Sequence, residues 1–183
     1  MALQRDLPRA VEVAYLVGGL APDTLEPMPV STRQMVQQAW RRIEQTVPGV
    51  HFNWAFWLQN TPMRSTYPAC RAVLAAKKLR ADAELEMIRA IQAAYYQQAK
   101  NPSLLETLQA CAQAVGLSAY AFSEAIASLE IEQQLQRDMQ RARSMGAYSY
   151  PSLRLAYKDS VLPIAIDYCE HRNMLREIDV LIA

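Results

Sequence analysis

Hydrophobic residues recur every three to four positions between residues 31 and 145, a spacing that predicts a succession of helices. Ser31 or Thr32 can cap the first helix, and Thr66 can cap a later one with Pro68 in its first turn. Further helix starts are predicted at Asp82, residues 101–103, Ser118 and Leu129. The apolar face predicted for the first helix contains Met35, Ala39, Trp40 and Ile43.

The hydrophobic pattern has a period close to two on both sides of this helical block. Val11–Val17 is rich in branched and aromatic residues and ends at Gly18-Gly19, which predicts a strand closed by a turn. Apolar and polar residues alternate again over residues 153–166, with a turn at residues 158–160, and this predicts a hairpin. A final amphipathic helix is predicted from about Tyr168 to Ile182.

Four aromatic residues lie close together after the first predicted helix, and they are Phe52, Trp54, Phe56 and Trp57. Aromatic side chains dominate binding surfaces, so these residues could line a groove for a hydrophobic peptide. The favoured interpretation is that they pack inside the helical region.

Charge and length exclude several classes of protein. The 183 residues carry a net charge of +1, so they lack the basic surface on which nucleic-acid affinity depends. No stretch is long and apolar enough for a membrane span, and residues 1–9 lack the apolar centre of a signal peptide. We expect a soluble, cytoplasmic protein that binds neither nucleic acid nor membrane.

The cysteines and histidines do not form a metal site in the sequence. Cys70, Cys111 and Cys169 are far apart, whereas disulfide frameworks and zinc sites need paired or clustered ligands. His51 and His171 have no ligand spacing to each other or to a cysteine. We therefore expect no metal, no cofactor and a reducing compartment.

The loop that leads into the predicted hairpin is Gly-Ala-Tyr-Ser-Tyr-Pro-Ser-Leu, residues 146–153. It follows the helical block as the cis-proline loop follows the helical domain in DsbA-like proteins of the thioredoxin fold. Further segments resemble the cytoplasmic branch of that family, which is labelled as protein disulfide isomerases. These segments are Tyr15–Asp23, Ser65–Ala72, and Ile91–Tyr96 followed by Asn101-Pro102.

The resemblance implies an α/β protein, a thioredoxin-like fold with a large all-helical insertion. Residues 1–30 and 146–183 would form an incomplete thioredoxin-like domain, and residues 31–145 would form the helical insertion. In this family the insertion separates the first strands of the sheet from the hairpin and the last helix.

The chain departs from the family at its N-terminus. Members begin with a strand and a loop carrying Cys-x-x-Cys, followed by a helix, whereas Met1–Leu7 here looks like the last turns of that helix. We therefore expect an N-terminally truncated fold without the first strand and the catalytic dithiol. Three explanations are a start codon placed too far downstream, a deliberately shortened chain, and a degenerate relative that swaps strands or dimerises. The first is favoured because the cut is abrupt.

The resemblance places two groups of candidate site residues on this sequence. Ser149, Tyr150 and Pro151 would contact substrate, with a cis bond before the proline, although an ordinary trans proline at a strand start is the alternative.

A second candidate group lies at the start of a helix. The resemblance implies that Thr66, Cys70 and Arg71 border the redox site. Separately, the helix N-terminus and the nearby Arg71 would favour the thiolate of Cys70. For Cys70 the favoured alternative is a small buried apolar role.

Three functions remain open at this point. The first is a DsbA-family thiol-disulfide oxidoreductase, similar to a disulfide isomerase, that lacks its dithiol and is inactive in this form. Its partners would be a thiol or disulfide protein or peptide, or glutathione. The second is a non-catalytic module that binds peptides or assembles with itself, as a homodimer or by strand swapping. The third is a glutathione-dependent isomerase or transferase relative.

Overall fold

The computed structural model describes residues 2–182 of the chain. Met1, in the predicted helix end, and Ala183, in the predicted thioredoxin-like part, lie outside the described residues. The elements are α1 Ala2–Asp6, α2 Val30–Thr46, α3 Phe56–Gln59, α4 Tyr67–Leu79, α5 Ala83–Tyr96, α6 Leu105–Ala114, α7 Ala119–Ile126, α8 Leu129–Ser144, β1 Leu153–Tyr157, β2 Ser160–Ile164 and α9 His171–Ile182. The predicted helical block, hairpin and final helix are confirmed.

The described residues form two compact units. One contains the residues up to Gly18 and those from Asp138 onward, and the other contains Gly19–Arg137. The sequence-based division at residues 30 and 146 concerns the thioredoxin-like and helical parts of the family, and it stays a prediction.

The unit Gly19–Arg137 is built around α4. This helix packs against α5, α6 and α7, and its residues Ala72–Ala76 are all buried. A helix that is apolar around most of its circumference belongs inside a protein, and its alanines let neighbouring helices approach closely. The charged residues Lys77 and Lys78 lie at its exposed C-terminal end, where cations interact favourably with the helix dipole.

An aromatic cluster around Trp40 forms a second core in this unit. The Trp40 ring lies with its centroid 4.6 to 6.1 Å from six other rings. These rings belong to Phe52, Trp54, Phe56, Trp57, Tyr95 and Tyr96. Trp40, Phe56 and Trp57 are each no more than 3% exposed, so they pack inside the unit. The favoured interpretation of the aromatic stretch is confirmed.

The apolar face predicted for α2 is wrong at three of its four positions. Met35 is 55% exposed and Ile43 is 38% exposed, and Ala39 is also exposed. The helix instead buries Trp40 and turns Val36 toward the aromatic cluster. The large Trp40 ring sets the orientation, because it buries more apolar area than Met35 or Ile43 would.

The hairpin, α1 and α9 share the core of the other unit. Strands β1 and β2 pair antiparallel with Tyr157 opposite Ser160, and Lys158 takes a φ of 52° in the two-residue turn. The buried residues of this core are Leu155, Ile164, Met174 and Ile178. Leu3, Leu7 and Val11 pack against them from the N-terminal segment. The short helix α1 is therefore held by apolar contacts with the hairpin and α9 rather than by its own length.

The predicted strand Val11–Val17 is not a strand in the structure. Its backbone bonds include Val11 N–H to the carbonyl oxygen of Pro8, at 2.9 Å, and Val17 N–H to the carboxylate of Asp138, at 3.4 Å. Strand structure needs a neighbouring strand to complete its ladder, and β1 and β2 pair with each other in the described chain. Val13 consequently stays 41% exposed despite its high strand propensity.

Candidate functional site

The loop 145–152 begins where α8 ends. Gly146 takes a φ of 72° and donates its N–H to the carbonyl oxygen of Arg143, while Ala147 donates to Ala142. A residue in the left-handed region just after a helix satisfies the last carbonyl groups and turns the chain, and glycine adopts that conformation without strain. These contacts therefore fix the direction in which the loop leaves α8.

Arg154 holds this loop from strand β1. Its guanidinium donates to three carbonyl oxygens, of Met145 at 3.0 Å, Gly146 at 2.6 Å and Leu153 at 2.9 Å. Two of these oxygens follow the end of α8, where the helix leaves carbonyl groups without intrahelical partners. The guanidinium fork suits this arrangement because it presents several donors in one plane.

Ser149, Tyr150 and Pro151 lie at the tip of the loop. Ser149 and Pro151 are exposed, Tyr150 is half-buried, and the peptide bond between Tyr150 and Pro151 is cis. The Ser149 carbonyl oxygen accepts a 2.6 Å hydrogen bond from the Ser152 hydroxyl. Within residues 2–182, the backbone N–H and C=O of Tyr150 make no hydrogen bond. An extended ligand could use both groups.

The Tyr150 side chain is held by contacts within its own unit. Its hydroxyl donates to the carbonyl oxygen of Ala147 at 3.1 Å, and its ring lies against the backbone of Gly18. The Tyr150 side chain therefore holds the loop together, while the Tyr150 backbone N–H and C=O are the groups that a ligand could bind.

The second candidate group lies at the start of α4 in the other unit. Thr66 occupies the predicted N-cap position, but its side chain makes no capping hydrogen bond. It pairs with Ala21 instead: the Thr66 hydroxyl accepts from the Ala21 N–H at 2.9 Å and donates to the Ala21 carbonyl oxygen at 3.2 Å. The Thr66 N–H also donates to that oxygen, at 3.0 Å. The cap prediction is therefore correct in position and wrong for the side chain.

Cys70 and Arg71 differ in their surroundings. Cys70 is half-buried in the first turn of α4, with its N–H bonded to the Thr66 carbonyl oxygen at 3.1 Å. The Arg71 guanidinium binds both Asp23 carboxylate oxygens, at 2.6 and 2.9 Å, and Glu132 at 3.2 Å. The hydrogen bond with Asp23 is the main reason that the Arg71 pKa is raised. Two carboxylates thus compensate the positive charge that the sequence places beside the thiol.

The other two thiols lie in different surroundings. Cys111 is 5% exposed on α6, and burial raises the pKa of its thiol. Cys169 is exposed and lies before α9, in the unit that also contains Tyr150. Cys70 and Cys111 belong to the unit Gly19–Arg137. A raised pKa leaves little thiolate at neutral pH, so Cys111 is a poor nucleophile.

Metal-binding and membrane-spanning features are absent from residues 2–182. No group of three or more His, Cys, Asp or Glu side chains converges there in a way that could hold a metal ion. Nor does any helix in that range have the length and apolar character needed to cross a membrane. His171 lies 2.8 Å from the Asp6 carboxylate, where it joins α9 to α1. The hydrogen bonds of Arg5 and then His171 hold the pKa of Asp6 well below its usual range.

Sequence reasoning missed Gly18, Arg154 and Asp138 as residues that hold the loop and its surroundings. Arg154 occupies an outward position of an alternating strand pattern, which normally indicates a solvated side chain. Asp138 lies in a charged run of α8 yet is only 6% exposed. Asp138 follows Ile131 and Leu135 at helical spacing and lies with them on the buried face of α8, so that spacing is the signal that could have found it.

Comparisons with known proteins agree with this architecture. A thioredoxin family model matches residues 26–163, and no curated protein matches the chain. The crystal structure of a proposed protein disulfide isomerase from Nitrosomonas europaea is 21% identical, with a TM-score of 0.76, and the match covers 88% of this chain and 78% of that one. Cytosolic disulfide reductase DsbM from Pseudomonas aeruginosa is 20% identical, with a TM-score of 0.75 and coverage of 98% and 88%.

DsbM with GSH gives a similar match, at 19% identity, a TM-score of 0.73 and the same coverage. At such identities the solved structures establish the fold, and the family model, which covers most of the chain, establishes the family. The combination of a cis-proline loop, a hairpin, a last helix and a preceding helical block is the arrangement that the sequence predicted. The chain therefore belongs to the thioredoxin family and has its DsbA-like fold, in which helices interrupt the thioredoxin domain.

Proposed function

We propose that this thiol-disulfide oxidoreductase relative binds thiol and disulfide peptides, glutathione among them, along the loop Ser149–Pro151. The observation that carries the proposal is the unpaired backbone of Tyr150 at an exposed loop tip. Backbone N–H and C=O groups are strong hydrogen-bonding groups, and an extended peptide is their natural partner. The solved structure of DsbM with GSH supports glutathione as one such ligand.

We further propose that these 183 residues do not turn over disulfides on their own. Thiol-disulfide exchange needs an attacking thiolate and a neighbouring thiol that resolves the mixed disulfide. The three cysteines of the sequence are at positions 70, 111 and 169, with no Cys-x-x-Cys among them. The loop would then supply binding, while the reacting thiols would come from elsewhere.

Titration with reduced glutathione tests the binding site. In a two-dimensional ¹H–¹⁵N NMR spectrum, we expect the amide signals of Ser149 and Tyr150 to shift with saturating behaviour. Ser149→Asp is expected to weaken binding about fivefold, because a like charge near the glutathione carboxylates costs about 1 kcal/mol at a protein surface.

The matched control is Ser160→Asp, which adds the same charge at the exposed end of the hairpin. It is expected to leave glutathione affinity unchanged. Binding that shifts only signals from α5 and α6, or no shift at millimolar glutathione, would show that the loop is not the ligand site.

Self-assembly through residues 11–17 is a second candidate function. The observation that favours it is that this segment has a high strand propensity, forms no strand and leaves Val13 exposed. A strand from a second copy could pair with such a segment, as in β-augmentation. This alternative expects a dimer in size-exclusion chromatography with light scattering, which Val13→Lys would convert to a monomer; a monomeric wild-type protein would exclude it.

We also propose a cytosolic location. Three widely separated cysteines suit a reducing compartment, and the similar fold of a cytosolic disulfide reductase supports the same assignment.

A further inference from the structure

Gly18 lies against the ring of Tyr150. A Cβ atom added at Gly18 would lie 2.4 Å from both Cε1 and Cζ of Tyr150 and 2.7 Å from Cδ1. Carbon atoms in contact are normally about 3.5 to 4.0 Å apart, so no side chain fits between this backbone and the ring. Any side chain at Gly18 would therefore force the Tyr150 ring to shift.

The other glycines with described surroundings are explained differently. Gly49, Gly116 and Gly146 have φ values of 79°, 80° and 72°, and a Cβ added to any of them would meet nothing within 4 Å. They are glycines because the left-handed region favours glycine. Gly18 is outside that region, and it is the one of these four that a neighbouring side chain restricts.

The contact fixes the Tyr150 ring between two parts of its own unit. The ring rests on Gly18, and its hydroxyl reaches back to the carbonyl oxygen of Ala147 at 3.1 Å. The residue before Gly18 is itself held, because the Val17 N–H donates to the buried carboxylate of Asp138 in α8 at 3.4 Å. The same helix ends in the loop that carries Tyr150. The segment at Gly18 and the loop are therefore tied to a common element.

We infer that Gly18 is a positioning residue for the loop: its missing side chain seats the Tyr150 ring and thereby sets the orientation of the Tyr150 backbone. A methyl group at Gly18 would push the ring away, and the backbone on which the ring is mounted would move with it. Where it concerns ligand affinity, this inference rests on the proposed function. Where it concerns the loop conformation, it stands on the Gly18 contact alone.

NMR of the labelled protein without ligand tests the contact first. We expect one Hα proton of Gly18 to be displaced from the usual glycine position by the aromatic ring current. In Tyr150→Ala that proton is expected to return to the usual position. An undisplaced Gly18 Hα signal in the wild-type protein would overturn the inference.

Gly18→Ala tests the consequence for the loop. It is expected to move the amide signals of Ser149 and Tyr150 and to weaken glutathione binding about tenfold, because the displaced Tyr150 backbone no longer presents its N–H and C=O to the ligand in the same orientation. In the Tyr150→Ala background, the same Gly18→Ala change is expected to alter neither, because the ring that it would displace is gone. The absence of a further effect in the double variant separates positioning of the ring from general destabilisation.

Gly49→Ala is the matched control. It also adds a methyl to a glycine, at a φ of 79° in the other unit, so it should lower stability and leave the loop signals unchanged. Loop signals and affinity equal to wild type in Gly18→Ala would overturn the inference. If the wild-type protein does not bind glutathione, the proposed function fails. The loop signals of Gly18→Ala then still decide the inference, in its favour if they move and against it if they do not.

Discussion

Replacing Trp40 with alanine is expected to lower the free energy of unfolding of the unit Gly19–Arg137 by about 3 to 5 kcal/mol. Trp40 is 3% exposed, and its ring contacts six other aromatic rings. The substitution removes the indole ring that contacts the other six rings and leaves a cavity that they can fill only in part. Urea unfolding followed by far-UV circular dichroism measures the loss.

Leu58→Ala is the control for this prediction. Leu58 lies close to the cluster in sequence, on α3, but is 87% exposed, so its truncation should change stability by less than about 0.5 kcal/mol. A loss below about 1 kcal/mol in Trp40→Ala would mean that the aromatic residues do not form the tightly packed core described here.

Replacing Arg154 with methionine is expected to destabilise the unit that contains the loop by about 2 to 3 kcal/mol. The guanidinium donates to the carbonyl oxygens of Met145, Gly146 and Leu153, and methionine offers a similar length without a donor. Hydrogen bonds from charged groups contribute more than neutral ones, and the loss is limited because water can reach part of this half-buried site. Urea unfolding measures the loss of stability, and the amide signals of residues 145–147 report the change in the loop conformation.

Arg143→Met removes an arginine from the same end of α8, where the side chain is exposed. It should leave both the stability and the loop signals close to wild type. Equal effects of the two substitutions would show that lost positive charge, rather than the three carbonyl contacts, explains the result for Arg154.

The helices were predictable because their signals are local. The start of α4 follows from Thr66 and Pro68, and the structure begins the helix at Tyr67 and ends it at Leu79. The side chain of Thr66 was not predictable, since its partner Ala21 is 45 residues away. The buried face of α2 was misassigned because the apolar residues of this helix lie on more than one of its faces. Only tertiary packing decides that Val36 and Trp40 face the core.

The strand assigned to Val11–Val17 shows the limit of propensity. Branched and aromatic residues favour extended structure, but a strand exists only when another strand supplies its hydrogen bonds. The prediction of the hairpin was correct because β1 and β2 are separated by a two-residue turn and each strand supplies the hydrogen-bond partners of the other. Within residues 2–182, Val11–Val17 has no such neighbour, since β1 and β2 pair with each other.

The candidate site was predictable only as far as the family resemblance extends. The resemblance proposes Ser149, Tyr150 and Pro151 as candidates, whereas Gly18 and Arg154 depend on contacts across the fold. Gly18 looked like an ordinary turn glycine, because a sequence does not show which side chain will lie against it. Arg154 looked like a solvated residue of a strand.

Insulin reduction by the purified 183-residue protein tests the central claim, which is that this chain carries the ligand loop of a disulfide oxidoreductase without a catalytic thiol pair. With dithiothreitol as reductant, we predict that insulin precipitates no faster with the protein than without it. A rate well above this blank that disappears in Cys70→Ser would contradict the account, because Cys70 would then be a catalytic thiol.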